Sequence, residues 1–465
     1  MKLPAFALAL AALVAAASRS DAQEVRRPVR VADALCVSQS DGPFLTLAPE
    51  ARDAYLSALA DAGWKLMRID FTWSRIQPGA PPAALDFSRY DDLVDRAAAH
   101  DVKLLGILDY GVDWAASAAP AGDDRYPPDD PAAFAAFAGQ LAKRYRKRVP
   151  AWEVWNEPNN GLSGFWKPTP DPAVYARLAM TAARALRRAD PKATIVTGGL
   201  APTLDLITYG RDYGFFTAAT QAEKKWHRKF KAAAVHPYTF LQAPAPEADD
   251  TTTPGLLSVV HQIRDFRDRL TESNATRLPV WLTELGWHTA PESGVAGFPP
   301  GVSEIDQARY LVRAVTLALS QRAERVCWYT LLDYPAFLTN KEDAFGLFRY
   351  QANPTPGTLD PKPAYTAAKT LAGVLGPTRF VRDLRVELDL PREGYAFCFQ
   401  STKPRQTIIV FWATAEGVTS GQAVAPDVIG IRRVEMDGTE TDLGLPDRVD
   451  VTLGPTPFYL IFDQK

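Results

Sequence analysis

The chain has 465 residues, enough for a large domain and a small one, and its 52 basic and 54 acidic residues nearly cancel. That balance excludes the one-sided charge of a nucleic-acid footprint or an anionic-membrane surface. With 47% apolar and 11% aromatic residues, the composition is that of a globular protein and excludes a disordered one.

The first stretch reads as a targeting segment. Lys2 supplies a positive start, Leu3 to Ala17 is an apolar run too short to span a bilayer comfortably, and Ser20-Asp21-Ala22 fits a small-x-small cleavage site. The expectation is a signal peptide over residues 1–22 and a protein exported to the periplasm or beyond. No membrane segment is expected after its removal. An uncleaved anchor is the competing reading, and the short run and small residues argue against it. No cysteine stands at the site to carry a lipid.

From about residue 29 to 375, strand-like runs alternate with Ala-, Leu- and Arg-rich helical stretches, the pattern of successive βα units and a parallel sheet. The runs are Val31–Val37, Leu66–Phe71, Lys103–Leu108, Trp152–Asn156, Thr194–Thr197, Ala232–Val235, Val280–Thr283 and Arg325–Tyr329. Eight such runs are what a closed (β/α)8 TIM barrel of the α/β class requires. The helix patterns between them are Ala51–Ala62, Tyr90–His100, Pro131–Tyr145, Pro172–Ala189, Leu256–Leu270, Glu304–Ser320 and Pro363–Leu375. Over residues 376–465 the pattern changes to short β-prone runs separated by turn signals such as Asp437-Gly438 and Gly454-Pro455. That predicts a small C-terminal all-β sandwich, with no exposed aromatic row to mark it as a sugar binder. Cys36, Cys327 and Cys398 each lie in an apolar run and read as small core residues. A Cys36–Cys327 bridge is the alternative, since the first and last strands of a barrel are neighbours.

Two strand tips carry the chemistry. The bulky run Trp152–Trp155 stops at Asn156-Glu157-Pro158, because a proline cannot donate to a sheet ladder. The run Leu278–Thr283 likewise ends on a single acid, Glu284, followed by Leu285-Gly286-Trp287-His288. Carboxylates on two strand tips of a barrel point to glycoside hydrolysis. Other constellations are missing from the sequence. The five histidines include no pair at i,i+4 and no His-Glu-x-x-His, so no metal is expected. No Gly-x-Ser-x-Gly elbow or phosphate loop is present, and Gly198-Gly199 reads only as a strand-end turn.

On these motifs the chain resembles the clan A retaining glycoside hydrolases, most closely the family 39 and family 39-like exported bacterial enzymes. The resemblance is carried by Trp155-Asn156-Glu157-Pro158-Asn159, Phe165-Trp166-Lys167-Pro168, Val235-His236-Pro237-Tyr238, Thr283-Glu284-Leu285-Gly286-Trp287 and Lys362-Pro363-Ala364-Tyr365. It covers the barrel and, more loosely, the sandwich. It implies that Glu157 is the acid/base and Glu284 the nucleophile. It further implies that Asn156 binds the sugar's 2-hydroxyl, and that Trp328 is the platform under the reacting sugar. Arg68 and Tyr238 would hold Glu284 in its charged form, and His236 would belong to the site. Such an enzyme needs its two carboxyls about 5–5.5 Å apart, one protonated and one ionised.

Each assignment has a plainer counterpart. Arg68 could simply pair with Asp70, and His236 could satisfy a backbone carbonyl. Glu153 shares a strand face with Glu157 but lies deeper, and reads as a buried, hydrogen-bonded barrel residue. Trp73, Tyr110, Trp114, Trp166 and Trp287 could stack on sugars or pack loops. Asp109 and Asp113 depart from the clan, many of whose members carry a histidine near the third strand's tip. That leaves open which sugar hydroxyls that wall reads.

The expectation is therefore an exported retaining O-glycoside hydrolase acting on a poly- or oligosaccharide, without a cofactor and without a nucleic-acid partner. A transglycosidase is one alternative, and a carbohydrate-binding or polysaccharide-assembly protein on the same barrel is another. The glycan, endo or exo action and the oligomeric state are not legible in the sequence.

Overall fold

The computed structural model describes residues 28–202, 213–239, 245–249, 257–291, 300–335, 340–351, 354–355 and 357–465. The expected signal peptide lies outside them. Among the described residues, no helix is long and apolar enough to cross a membrane. The chain divides into two compact units, Ala34–Lys369 on one side and residues up to Asp33 with Thr370–Lys465 on the other.

The larger unit is a (β/α)8 barrel. Its strands are β1 (Leu35–Gln39), β2 (Leu66–Thr72), β3 (Lys103–Asp109), β4 (Ala151–Asn156), β5 (Thr194–Gly199), β6 (Ala233–Val235), β7 (Val280–Leu285) and β8 (Arg325–Tyr329). They form one parallel sheet in the order β5-β4-β3-β2-β1-β8-β7-β6. Backbone bonds from Thr197 N to Ala232 O (3.2 Å) and from His236 N to Leu200 O (2.9 Å) tie β5 to β6 and close the ring. Parallel strands need crossovers, and the helices Pro49–Asp61, Ser88–Ala99, Pro131–Arg144, Pro172–Ala189, Gly214–Ala222, Val259–Glu272 and Glu304–Ser320 supply them. Inside the ring, Leu105, Ala151, Val196, Ala232, Ala234 and Trp281 form a packed core toward the N-terminal ends of the strands. This core makes the barrel a solid floor, and the site is built on the opposite rim.

Two expectations need correcting here. The run Val31–Val37 is not one strand: Val31–Ala34 is a helical turn and β1 begins at Leu35. Cys36 and Cys327 are not free core thiols but a disulfide, with Cα atoms 4.1 Å apart. Parallel pairing of β1 with β8 sets them in register, which is what brings the two sulfurs together. Cys398 stays free and buried.

The smaller unit is an antiparallel β-sandwich. One sheet runs β14 (Glu440–Gly444), β13 (Val428–Glu435), β16 (Phe458–Gln464), β11 (Arg405–Ala413), β10 (Gly394–Thr402) and β9 (Arg379–Asp383). The other pairs β12 (Val418–Ala423) with β15 (Arg448–Leu453). Alternation along the strands sends Ala396, Cys398, Ile409, Phe411, Leu460, Val449 and Val451 into one shared core.

Candidate active site

The site is assembled at the C-terminal ends of the strands. Along β4, Glu153 points into the barrel and is fully buried. A regular strand would turn Trp155 inward and Asn156 outward. Instead Trp155 takes a left-handed backbone (φ 71) and Glu157 another (φ 43). Conformations of this kind cost on the order of 1–3 kcal/mol each and are held only by their surroundings. Trp155 is held by the aromatic packing of Trp166 and Phe134, at 4.9 and 6.0 Å between ring centroids, and by its indole N–H on Phe165 O at 2.9 Å. With its ring outside, Asn156 and Glu157 both face the barrel axis.

Glu284 is the penultimate residue of β7 and faces Glu157. One oxygen of each, together with one ring nitrogen of His236, lie within 4.8 Å of one another. This is the only group among the described residues with metal-ligand spacing, and it coincides with the carboxylate pair. The two glutamates have different donors. Glu284 receives Arg68 Nη1 at 2.7 Å and the Tyr238 hydroxyl at 2.9 Å. Glu157 receives Asn160 Nδ2 at 2.6 Å and lies 2.9 Å from His236 Nδ1.

Arg68 is the hub. Buried at 3% exposure, it donates to Glu153 from Nε (2.8 Å), to Ser38 from Nη1 (3.1 Å) and to Asn156 Oδ1 from Nη2 (2.9 Å) as well as to Glu284. Its partners are therefore Glu153 and Glu284, not Asp70. Glu153 also accepts from Gly199 N (2.9 Å) and from the Thr283 hydroxyl (3.2 Å), which makes it the anchor of the arginine. Asn156, fixed by Arg68 through its oxygen, donates from Nδ2 to the Tyr110 hydroxyl at 3.1 Å. His236 is wholly buried, and its Nε2 lies 3.0 Å from Thr283 Oγ1.

Of the ten residues singled out in the sequence, the geometry brings Glu157, Glu284, Asn156, Arg68, His236 and Tyr238 into one network. Trp114 is partly exposed beside Trp73, with its indole N–H on Gln77 O at 3.1 Å. Trp166, Trp287 and Trp328 are buried in aromatic packing. Trp166 is 1% exposed beneath Trp155, and Trp287 and Trp328 are 3% and 1% exposed and stack on each other at 6.0 Å. The reason for Trp328 is strand parity. Cys36 pairs with Cys327 and Ser38 with Tyr329, so Cys327 and Tyr329 face the axis and Trp328 faces away. Tyr329, half-buried, is the β8 side chain nearest the cleft, close enough to Glu284 for that charge to act on its phenol.

Sequence reasoning also missed Asn160, Thr283 and Gly199. Gly199 is more than a turn residue: a β-carbon there would meet His236 Nε2 at 2.1 Å and Thr283 Oγ1 at 2.7 Å. Alternation on β7 carried the signal for Thr283, two positions from Trp281 on the inward face. Nothing in the sequence singled out Asn160 or Gly199.

Comparison with known proteins bears on the fold and the family. The family model described as Cellulase (glycosyl hydrolase family 5) matches residues 37–328, well over half of the chain. No curated protein matches the sequence. Among solved structures, a family 39 glycoside hydrolase from Bacteroides cellulosilyticus is similar in fold, with a TM-score of 0.71 at 21% identity over 94% of this chain and 81% of that one. A monomeric beta-xylosidase from Caulobacter crescentus gives 0.65 at 16% identity, covering 95% and 98%. A conserved exported protein from Bacteroides fragilis gives 0.63 at 12% identity, covering 94% and 99%. The first of these neighbours is a family 39 enzyme, the group that the sequence resembles, while the sequence model that matches is that of family 5. The chain belongs to the cellulase (glycosyl hydrolase family 5) family and is an O-glycoside hydrolase of the retaining, clan A type.

Proposed function

We propose that the protein is exported and cleaves a poly- or oligosaccharide by double displacement, with Glu284 as nucleophile and Glu157 as acid/base. The observation that carries this reading is the asymmetry of the glutamate pair. A cationic guanidinium and a phenol converge on Glu284, whereas an amide and an imidazole face Glu157. In the first step a Glu284 oxygen attacks the anomeric carbon as the glycosidic C–O bond breaks. The proton of Glu157 passes to the departing oxygen. In the second step Glu157, now ionised, takes a proton from water as the water oxygen attacks the same carbon and releases Glu284. One oxygen of each lies within 4.8 Å of the other, nearer the spacing of about 5–5.5 Å in a retaining pair than the roughly 6.5–9.5 Å of an inverting one.

A buried hydrogen-bonded chain stands behind Glu157. Glu153, paired with Arg68, accepts the Thr283 hydroxyl proton, so Thr283 Oγ1 presents a lone pair to His236 Nε2–H. The same chain holds His236 Nδ1 2.9 Å from Glu157, which positions the carboxyl for the acid/base role. Asn156, locked by Arg68 and Tyr110, is the group for the 2-hydroxyl, and Tyr329 rather than Trp328 walls the sugar at β8. Export is supported by the N-terminal segment, by a disulfide of the kind that persists in oxidising compartments, and by the exported protein among the similar folds.

A mass-spectrometric product screen of the mature protein against plant and bacterial polysaccharides tests the reading, with Glu284→Ala run alongside. Oligosaccharides from the native protein alone are expected. Normal turnover by Glu284→Ala removes the nucleophile assignment, and binding without products from any glycan favours a carbohydrate-binding protein instead.

A further inference from the structure

Beside the glutamate pair, the rim of β1 to β3 carries a second set of carboxylates that the double displacement does not use. Asp41 lies two residues past β1, Asp70 is on β2 and Asp109 ends β3. In the β2–β3 register Asp70 is opposite Ile107 and Thr72 opposite Asp109. Alternate residues share a face, so Asp70 and Asp109 point to the barrel axis as Arg68 does. Asp70 is half-buried and accepts the Asp41 backbone N–H at 3.1 Å. Asp41 in turn accepts the hydroxyls of Thr72 (2.8 Å) and Tyr90.

Asp109 is different. It is 1% exposed, and among the described residues neither of its carboxyl oxygens has a hydrogen-bond partner. Such a group costs folding free energy unless something supplies what it lacks. The cations nearest the wall are engaged elsewhere or lie at its edge. Arg68 is committed to Glu153 and Glu284, and Arg75, 3.4 Å from Asp41, is 45% exposed. Burial, and then repulsion from Asp41, pushes Asp70 up to about 7; burial, and then repulsion from Asp70, pushes Asp109 well above the carboxylate range.

The spacing suits an organic cation rather than a bare ion. No three of these aspartate oxygens approach within 4.8 Å as a metal cage would need, since the only such group among the described residues is Glu157, His236 and Glu284. Aromatic side chains stand near Asp70. Tyr110 and Tyr334 both lie near enough for the Asp70 charge to act on their phenols. Carboxylates combined with aromatic faces are the chemistry that holds ammonium groups.

We propose that the Asp41–Asp70–Asp109 wall is a subsite for a sugar ammonium, and that the substrate is a glycan containing hexosamine units with free amino groups. The proposal rests on the glycosidase reading above, because in a sugar cleft the cationic ligand is an amino sugar. Its three N–H donors match carboxylate acceptors, and its charge favours the ionised forms of Asp70 and of the orphaned Asp109 behind it. An N-acetylated or plain neutral sugar brings no charge and leaves the wall uncompensated.

The test uses oligomers of glucosamine and of galactosamine, each as free amine and fully N-acetylated, with xylo-oligosaccharides as neutral controls, at pH ~7. Native protein, Asp70→Asn and Asp109→Asn are compared, with thermal unfolding to establish that both variants fold. The native kcat/KM for one free-amine series is expected to exceed that for its acetylated form by on the order of tenfold or more, and each variant to lose most of that ratio. Equal or faster cutting of acetylated or neutral oligomers by the native protein overturns the subsite, as does a preference that survives Asp70→Asn. If no oligomer is cut, the glycosidase reading fails separately and calorimetric binding decides. Tighter binding of free-amine forms, lost in Asp70→Asn, supports the subsite, and equal binding overturns it.

Discussion

Gly199 and His236 touch so closely that no side chain fits between them: a β-carbon at 199 would lie 2.1 Å from His236 Nε2. The imidazole cannot retreat, because it is fully buried and bonded at both nitrogens. Gly199→Ala is therefore expected to displace His236 and, through it, Glu157. A misplacement of about 1 Å costs on the order of 10²-fold in rate. Steady-state kinetics on the best substrate check this, and kcat within a factor of two of native contradicts the contact's importance.

Loss of Glu157 has a distinctive signature. Glu157→Ala should lower turnover of natural glycans by roughly 10²–10⁴-fold, the usual contribution of a general acid. Activated aryl glycosides, whose leaving group needs no proton, should lose much less in the glycosylation step, and added azide should restore part of the rate. Equal losses on both substrate types would argue against the acid role.

Thr283 holds His236 in place, with its hydroxyl oxygen 3.0 Å from Nε2. Thr283→Val keeps the shape and removes that hydrogen-bond partner, so the imidazole is less firmly held against Glu157. Turnover of natural glycans should fall by roughly tenfold or more, and that of activated aryl glycosides by less, because the loss acts through the placement of the acid. Equal losses on both substrate types would make Thr283 structural.

Asp70 also makes a prediction about stability. Burial, and then repulsion from Asp41, raises it from 3.8 to about 7 in the folded protein. Below pH ~4 the group is protonated in both the folded and unfolded states. Between pH ~4 and ~7 the unfolded chain releases this proton first, so the folded state binds more protons and stability falls as pH rises. Asp70→Asn abolishes that fall. Urea unfolding at pH ~4.5 and ~7.5 should show a smaller loss of stability on raising the pH in the variant than in the native protein, and identical losses contradict the assignment.

The barrel was legible because each of its strands is a short apolar run bounded by turn residues, and every one of the eight runs overlaps a strand. The helix Gly214–Ala222 was not, since Gly-Phe-Phe-Thr-Ala-Ala-Thr mixes β-prone and helix-prone residues without a 3.6 period. The sandwich strands β12 and β14 were missed for a related reason. Val-Thr-Ser-Gly-Gln-Ala and Glu-Thr-Asp-Leu-Gly are polar and read as turns, and backbone pairing with β15 and β13 makes them strands. At the site, residues with distinctive chemistry at strand tips were visible, Arg68, Glu157, His236, Tyr238 and Glu284 among them. What was hidden depends on orientation. The left-handed backbone at Trp155 turns Asn156 inward, and one step of parity separates Tyr329 on the axis from Trp328 behind the sheet. Asn160 and Gly199 act only through neighbours that the fold brings to them.

The central claim is that Glu284 forms a covalent bond to the sugar. Incubation with a panel of 2-deoxy-2-fluoro glycosides bearing an activated leaving group, followed by peptide mass spectrometry, tests it most directly. The account predicts time-dependent inactivation with the glycosyl mass added on the peptide containing Glu284, and no label in Glu284→Ala. Label on Glu157 instead, or an enzyme that turns over its glycan with inversion at the anomeric carbon, would contradict it.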